Sequence, residues 1–250
     1  MKQKALITWW TSWIGKEFAY QLAQQWYDIV IVWRNKNNWK EIAKDIKERY
    51  QVECEILLAD LCTEEWINKV SNYIETDKDI CFLLNWAWFL DITEYIKSDY
   101  ERWESMLNLH NRAIMKLSYT AWRCFKKWWT IINIASIAAF MTAWNPMYTW
   151  TKAFIRTFSL NLNEQLKKKW IYVQTLCPWC LATNLRAIST WKTPKLWAIT
   201  VKKAVSISLK AAKNKKVQCI PWFINKIIVF WTHLIPRKFI YKFSRGILWK

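Results

Sequence analysis

Glycine is nearly missing from this chain. Its 250 residues hold two glycines, where an ordinary share of ~7% would supply about 18. As written, the sequence excludes any glycine-rich loop, and its tight turns must be made by residues that carry a Cβ. No apolar run reaches the ~18–20 residues of a membrane span. The opening Met1-Lys2-Gln3-Lys4-Ala5-Leu6-Ile7-Thr8 lacks the long apolar core of a secretory signal and reads as a first strand. The expected compartment is the cytoplasm. The seven cysteines (54, 62, 81, 124, 177, 180 and 219) are odd in number and scattered, which fits reduced thiols and not a disulfide framework. Hydrophobic residues make up 53% and charged residues 23%, so disorder is excluded, and the length suffices for the core of one α/β domain.

What the chain has in place of glycine is tryptophan. There are 22, so Trp and Gly together make 24, an ordinary glycine count. Trp also sits at junctions. Trp9-Trp10 ends a strand, Trp170 follows Lys167-Lys168-Lys169, and Trp179 follows Pro178. Such places commonly need φ > 0 or close backbone approach, which glycine allows and tryptophan resists. The reading is that most Trp positions stand for glycine. Some bacterial lineages read the UGA codon as glycine where a common alternative code gives Trp; deliberate Gly→Trp design leaves the same trace. UGG codons at these positions would exclude the first origin.

The net charge is +19, and 43 aromatic residues offer stacking faces, so a polyanion-binding protein is one alternative. Lys and Arg are spread along the chain without a long basic block. A Lys-rich solvated surface is the simpler account, and nucleic acid is not the expected partner.

No repeat or linker divides the chain. Ala5-Leu6-Ile7 is a buried strand, followed by a helix with Ile14, Phe18, Leu22 and Ala23 on one side. Ile29–Val32 is a continuous β-branched run, the mark of a strand covered on both faces. A helix near 38–50, a strand at 54–59, a helix near 63–75 and a strand at 80–84 follow. A long helix near 104–127 precedes a strand at 131–135, another near 147–168 precedes one at 171–176, and Val217–Ile220 is a last strand. This pattern predicts a Rossmann-like, doubly wound parallel sheet of about seven strands in a single domain, with its ligand crevice at the carboxyl ends of the strands. Residues 1–220 read as the catalytic unit. The tail, 221–250, interleaves Ile224, Ile227, Ile228, Phe230 and Leu234 with Lys226, Arg237 and Lys238. The favoured reading is a terminal flap packing on the core or beside the crevice, and peripheral membrane contact is the alternative.

The first turn is Thr8-Trp9-Trp10-Thr11-Ser12-Trp13-Ile14-Gly15. With Trp9 and Trp13 read as glycine it becomes T-G-x-x-x-G-x-G between strand and helix, a turn that lets backbone N–H groups approach a pyrophosphate. Asn85-Trp86-Ala87-Trp88 follows the fourth strand. Ser136 follows the fifth, and Tyr148-Thr149-Trp150-Thr151-Lys152 comes twelve residues later. In this set and order the chain resembles the short-chain dehydrogenases/reductases over roughly residues 4–220. Asn85-Trp86-Ala87-Trp88 is similar to the family's N-N-A-G, and Tyr148 and Lys152 to its Y-x-x-x-K. Pro178-Trp179-Cys180-Leu181-Ala182-Thr183 is similar to P-G-x-x-x-T, and Asp60-Leu61 to the acidic site near the adenine. The resemblance implies a cofactor site built from Thr8, Trp9, Ser12, Trp13, Ile14, Gly15, Arg34, Asp60, Leu61, Asn85, Ala87, Tyr148, Lys152, Pro178 and Thr183. It implies no metal.

The Ser-Tyr-Lys chemistry follows from elementary arguments. Tyr148 and Lys152 share a helix face. A free tyrosine titrates near ~10, and a neighbouring ammonium favours the phenolate; lowering that value by about 3 corresponds to about 4 kcal/mol. Ser136 can hydrogen-bond the carbonyl oxygen where charge develops. The implied reaction moves hydride between NADPH and a ketone or secondary alcohol. At the end of the second strand, Trp33-Arg34-Asn35 has no carboxylate for the ribose 2′-OH of NAD, whereas Arg34 offers a fork for a 2′-phosphate. NADP is therefore preferred over NAD. The family's helix asparagine aligns with His110, and Asn111 falls one place late; His110 is expected either to serve the proton relay or to be a buried histidine satisfied by backbone. Similar tails in relatives acting on acyl or steroid-like ketones imply an apolar substrate, and the family's usual pairing implies a homodimer or homotetramer. Cys177-Pro178-Trp179-Cys180 leaves a thiol–disulfide oxidoreductase as a second functional class.

Overall fold

The alternation of apolar runs and amphipathic stretches resolves into one sheet with helices on both faces. A computed structural model describes residues 3–9, 13–34, 39–86, 93, 95–124, 128–141, 145–179, 181, 199–236 and 238. The strands are β1 (Gln3–Trp9), β2 (Tyr27–Trp33), β3 (Cys54–Leu58), β4 (Ile80–Trp86), β5 (Trp129–Ile134), β6 (Ile171–Leu176) and β7 (Gln218–Cys219). They run in the order β3-β2-β1-β4-β5-β6-β7, and every pairing is parallel. The chain leaves β1 toward β3 and returns on the other side with β4. Between β1 and β4 lies the switch point, where a doubly wound sheet opens its ligand crevice.

Side-chain parity explains why these strands read as continuous apolar runs. Ala5, Ile7, Phe82, Leu84, Ile132 and Ile134 face one core with Phe18 and Leu22 of α1 (Trp13–Ala23). Leu6, Leu83, Ile131 and Val173 face the other, with residues of α3 (Glu64–Thr76) and α5 (Ala113–Cys124). Both faces are covered, so neither parity is polar. The remaining helices are α2 (Trp39–Tyr50), α4 (Tyr100–Leu107), α6 (Pro146–Leu166), α7 (Val201–Lys213) and α8 (Phe223–Leu234).

Several elements differ from the sequence pattern, α7 among them, since no helix is expected between the strands at 171–176 and 217–220. The expected single helix near 104–127 begins at Tyr100 and is interrupted by a π-helical turn, Asn108–Arg112, between α4 and α5. The β4 strand runs on to Trp86, because Thr8 pairs with Asn85 and Trp9 with Trp86.

The turns entering the strands bear on the tryptophans. Five of the six helix-to-strand connections contain a left-handed residue: Trp26, Gln51, Trp128, Trp170 and Lys215. Trp170, the junction singled out in the sequence, has φ 62° and ψ 24° after the 3-10 turn Lys167–Lys169. This is the helix C-terminal position that glycine usually fills, and a bulky side chain is an outlier there.

Candidate active site

Local sequence sets the register of α6. Asn145 precedes Pro146, and its Oδ1 accepts hydrogen bonds from the backbone N–H of Met147 (3.0 Å) and Tyr148 (3.2 Å). An Asn cap followed by Pro is a strong helix start. It places Tyr148 in the first turn and Lys152 one turn later, both buried. Ser136 ends the extended chain after β5; its Oγ accepts from the N–H of Ala138 at 3.2 Å and donates to the carbonyl of Pro178 at 3.5 Å. The Pro178 carbonyl also accepts from the N–H of Ile137, so the segments following β5 and β6 are tied together at the carboxyl edge of the sheet.

Lys152 is 1% exposed. Its Nζ makes one long hydrogen bond, 3.4 Å, to the carbonyl of Ile134 and lies 5.7 Å from the Tyr148 ring centroid. Burial pushes its pKa down from 10.5 to about 7. The ammonium invoked from the sequence is thus only partly populated at neutral pH.

The π-helical turn holds both His110 and Asn111 at the position where the resemblance places the family's asparagine. Such a turn inserts one extra residue into the helix, and it brings both His110 and Asn111 against α6. His110 Nδ1 lies 3.2 Å from Thr151 Oγ1, and Asn111 Nδ2 donates to the Thr151 carbonyl at 3.4 Å. Thr151 Oγ1 donates its own proton to the Tyr148 carbonyl at 2.9 Å. The proton between His110 and Thr151 is therefore assigned to Nδ1, which leaves Nε2 an acceptor. Burial, reinforced by the Lys152 charge, holds the His110 pKa well below 6.5, so the ring is neutral. It stands edge-on to Tyr148, with ring centroids 6.3 Å apart. A side chain of α6, Thr151, is thus one partner of this buried histidine.

The other expected residues collect along the same edge. Thr8 Oγ1 donates to the Leu84 carbonyl at 3.2 Å and accepts from the N–H of Trp86 at 2.9 Å, which locks β1 to β4 at the switch point. Asn85 Nδ2 donates to Asn133 Oδ1 at 2.8 Å, and Asn133 Nδ2 to Ser159 Oγ at 3.0 Å, a buried polar chain across β4, β5 and α6. This chain was not anticipated, because Asn133 and Ser159 carry no motif signal. Ile14 and Gly15 are buried in the first turn of α1, and Trp13 is half exposed at its start. At the far side Arg34 and Asp60 meet as a 3.8 Å ion pair beyond the ends of β2 and β3, with Leu61 buried beside them. Trp9 ends β1. Ser12, Ala87, Thr183 and Cys180 lie outside the described residues.

Cys177 is fully buried, and burial pushes its thiol up to about 12. A reactive thiol needs the opposite environment.

A nicotinamide dinucleotide can be tested against these residues. Lys152 uses one of its donors on a long bond, so its amine retains hydrogen-bonding capacity suited to ribose hydroxyls. The donor set fits the group. Bulk opposes it at one place: Trp86 is 6% exposed at the end of β4, its ring centroid 5.8 Å from Lys152 Nζ. A smaller residue would open that volume.

Comparison with known proteins follows the same lines. The family model described as short chain dehydrogenase matches residues 3–193. The very-long-chain 3-oxoacyl-CoA reductase of Rattus norvegicus is 27% identical over 245 residues, covering 92% of this chain and 76% of the relative. The bulky-bulky ketone specific alcohol dehydrogenase from Comamonas testosteroni has 25% identity and a TM-score of 0.81 over 93% of each chain. A short-chain dehydrogenase from Sphingobium yanoikuyae, solved in complex with NADPH, superimposes with a TM-score of 0.83 at 24% identity, over 93% of this chain and 92% of that one.

Proposed function

Because the chain belongs to the short-chain dehydrogenase/reductase family, we propose that it is an NADP-dependent oxidoreductase acting on a ketone or secondary alcohol, with an apolar compound of acyl or steroid-like shape as its substrate class. The observation that carries this reading is the α6 arrangement: Tyr148 and Lys152 one turn apart and buried, with Ser136 at the end of β5 on the same edge of the sheet. The names of two relatives, a 3-oxoacyl-CoA reductase and a ketone-specific alcohol dehydrogenase, support the carbonyl substrate, and the NADPH complex of a structural neighbour supports the cofactor.

In this reading residues 1–220 form the catalytic unit. The amino end of α1, with Trp9, Ser12, Trp13, Ile14 and Gly15, takes the diphosphate. Arg34 and Asp60 take the adenosine end, Thr8, Asn85 and Pro178 stand at the crevice, and the resemblance adds Ala87 and Thr183 to the cofactor's contacts. NADPH, when bound, supplies the hydride. Tyr148 delivers the proton to the developing alkoxide, and Ser136 Oγ hydrogen-bonds that oxygen as its charge grows. Lys152 becomes more fully protonated as hydroxyl acceptors reach its amine, since hydrogen bonds to the charged form favour it. Neutral His110, through Nε2, accepts a proton or holds a relay water. Half-exposed Met115 and Tyr119 on α5 suit pairing of two copies through the central helices.

The test compares the chain as written with a variant carrying glycine at positions 9, 13, 86, 88 and 179. The glycine variant should bind NADPH at least about tenfold more tightly, equivalent to 1.4 kcal/mol, and oxidise it when given a bulky ketone. Tyr148→Phe in that background should keep NADPH binding and lose at least about a hundredfold in turnover. Equal NADPH binding by the two chains would remove the glycine reading. Steeply salt-dependent DNA binding with no NADPH oxidation would replace the enzyme by a polyanion-binding protein.

A further inference from the structure

The bases are spread along the chain, but the acids are not. Residues 1–164 contain 20 Lys and Arg against 19 Asp and Glu. Residues 165–250 contain 18 Lys and Arg and no Asp or Glu at all. Nearly the whole net charge of +19 therefore belongs to the last third of the sequence, the part that supplies β6, β7, α7 and α8.

The same third exposes an apolar stripe. In α8 only Asn225 and Val229 are buried. Phe223, Ile227, Phe230 and Leu234 are exposed at 70%, 41%, 60% and 59%. At about 100° per residue these four fall within a narrow sector of the helix, and Lys226 flanks it. The stripe does not depend on the exposed Trp231 beside it. α8 sits against the 3-10 turn that follows Ser136, where Phe140 and His233 meet edge-on with ring centroids 6.1 Å apart. The start of α7 lies alongside, with Lys203 Nζ 5.1 Å from the Trp222 ring. Lys202, Lys203 and Lys226 are all exposed near the amino end of the stripe.

We propose that α8 and the adjoining basic surface form a peripheral docking face for an anionic lipid bilayer, with the apolar stripe seated among the acyl chains and the lysines at the headgroups. An α-helix of 12 residues is about 18 Å long, too short to span a bilayer, and no helix among the described residues is long and apolar enough to cross one. A helix with an apolar stripe and basic flanks lies in the plane of the interface. Charge selects the occupant. A second copy would bring two strongly basic thirds together, whereas an anionic surface neutralises one. This face stands independently of the carbonyl reading, since no group assigned to the chemistry takes part in it.

The test sediments the full chain with vesicles of phosphatidylcholine alone and of phosphatidylcholine with about one-third phosphatidylglycerol. Binding should be at least about tenfold greater on the anionic vesicles, and salt near about 0.5 M should release most of it. Phe230→Ser with Leu234→Ser should lower binding about tenfold while the thermal unfolding midpoint and NADPH binding stay unchanged, both side chains being solvent-facing. Lys202, Lys203 and Lys226 changed together to Gln should do the same. Four outcomes overturn the proposal. These are equal binding to both vesicles, binding to neither, indifference to the serine substitutions, and a concentration-dependent dimer that those substitutions dissolve.

Discussion

Lys152 shows how burial alters a residue that the sequence reads only by spacing. Four places after Tyr148 it promises an ammonium; inside the fold it is enclosed, and its pKa falls to about 7. In the unfolded chain the same group titrates near 10.5. Between those values the unfolded state binds more protons than the folded one, so the cost of burying Lys152 is greatest at and below pH 7 and fades as the pH approaches 10.5. Lys152→Met should therefore raise the unfolding free energy at pH 7 by an amount on the order of 5 kcal/mol, and the gain should shrink steadily toward pH 10. Denaturant titrations at several pH values check this. A gain that grows with pH would mean that the amine is paired with an anion in the folded state. The Arg34–Asp60 pair is a gentler case. At 3.8 Å and half exposed, it contributes at most about 1 kcal/mol and can open for a phosphate at little cost.

Elements were legible where their apolar pattern was continuous and obscure where it was not. Ile29–Val32 announces a strand buried on both faces, and that is where β2 lies; the strand expected at 131–135 is β5. Ile14, Phe18, Leu22 and Ala23 mark the buried side of α1 as spacing requires. The α7 helix is missing from the sequence pattern although Val205 and Leu209 on its buried side alternate with Lys202, Lys203, Lys210 and Lys213; three alanines and a serine complete that side, and no motif marks the stretch. The π-helical turn was invisible for a different reason. An inserted residue in a helix changes no composition, so nothing in the linear pattern marks it. The cap of α6 is the most consequential small feature, since Asn145 sets where the helix begins and hence where Tyr148 stands. Asn145→Ala should cost about 1 kcal/mol of stability, read as a lower denaturation midpoint, and Asn145→Asp should restore most of it. If alanine is neutral, the Pro146 start alone fixes the helix.

At the level of the whole molecule, the family-like motifs lie on one edge of the sheet because every strand runs the same way. The resemblance pointed to Tyr148, Lys152, Ser136 and Thr8, and the fold sets them along that edge. Sequence reasoning missed the Asn85–Asn133–Ser159 chain because nothing in a linear sequence says that three polar residues on β4, β5 and α6 will share a level. The tryptophans obey the same geometry. Trp26, Trp128 and Trp170 sit in left-handed turns at the amino ends of β2, β5 and β6, remote from the crevice. Replacing these three with glycine should raise stability by about 3–6 kcal/mol in total, because each bulky left-handed residue costs roughly 1–2 kcal/mol. Urea unfolding reads this directly, and a fall in midpoint would show that the rings, including the Trp128–Trp170 contact at 4.5 Å, contribute more than their backbone strain costs.

Parallel strands thus sort the tryptophans at the strand ends into two groups with different consequences. Those at the strands' entrances burden the scaffold; Trp86, at an exit, fills the volume beside Lys152. Backbone strain and the bulk beside Lys152 can then be relieved one without the other, so a chain mended only at its entrances would be sturdier with its crevice still narrowed at Trp86.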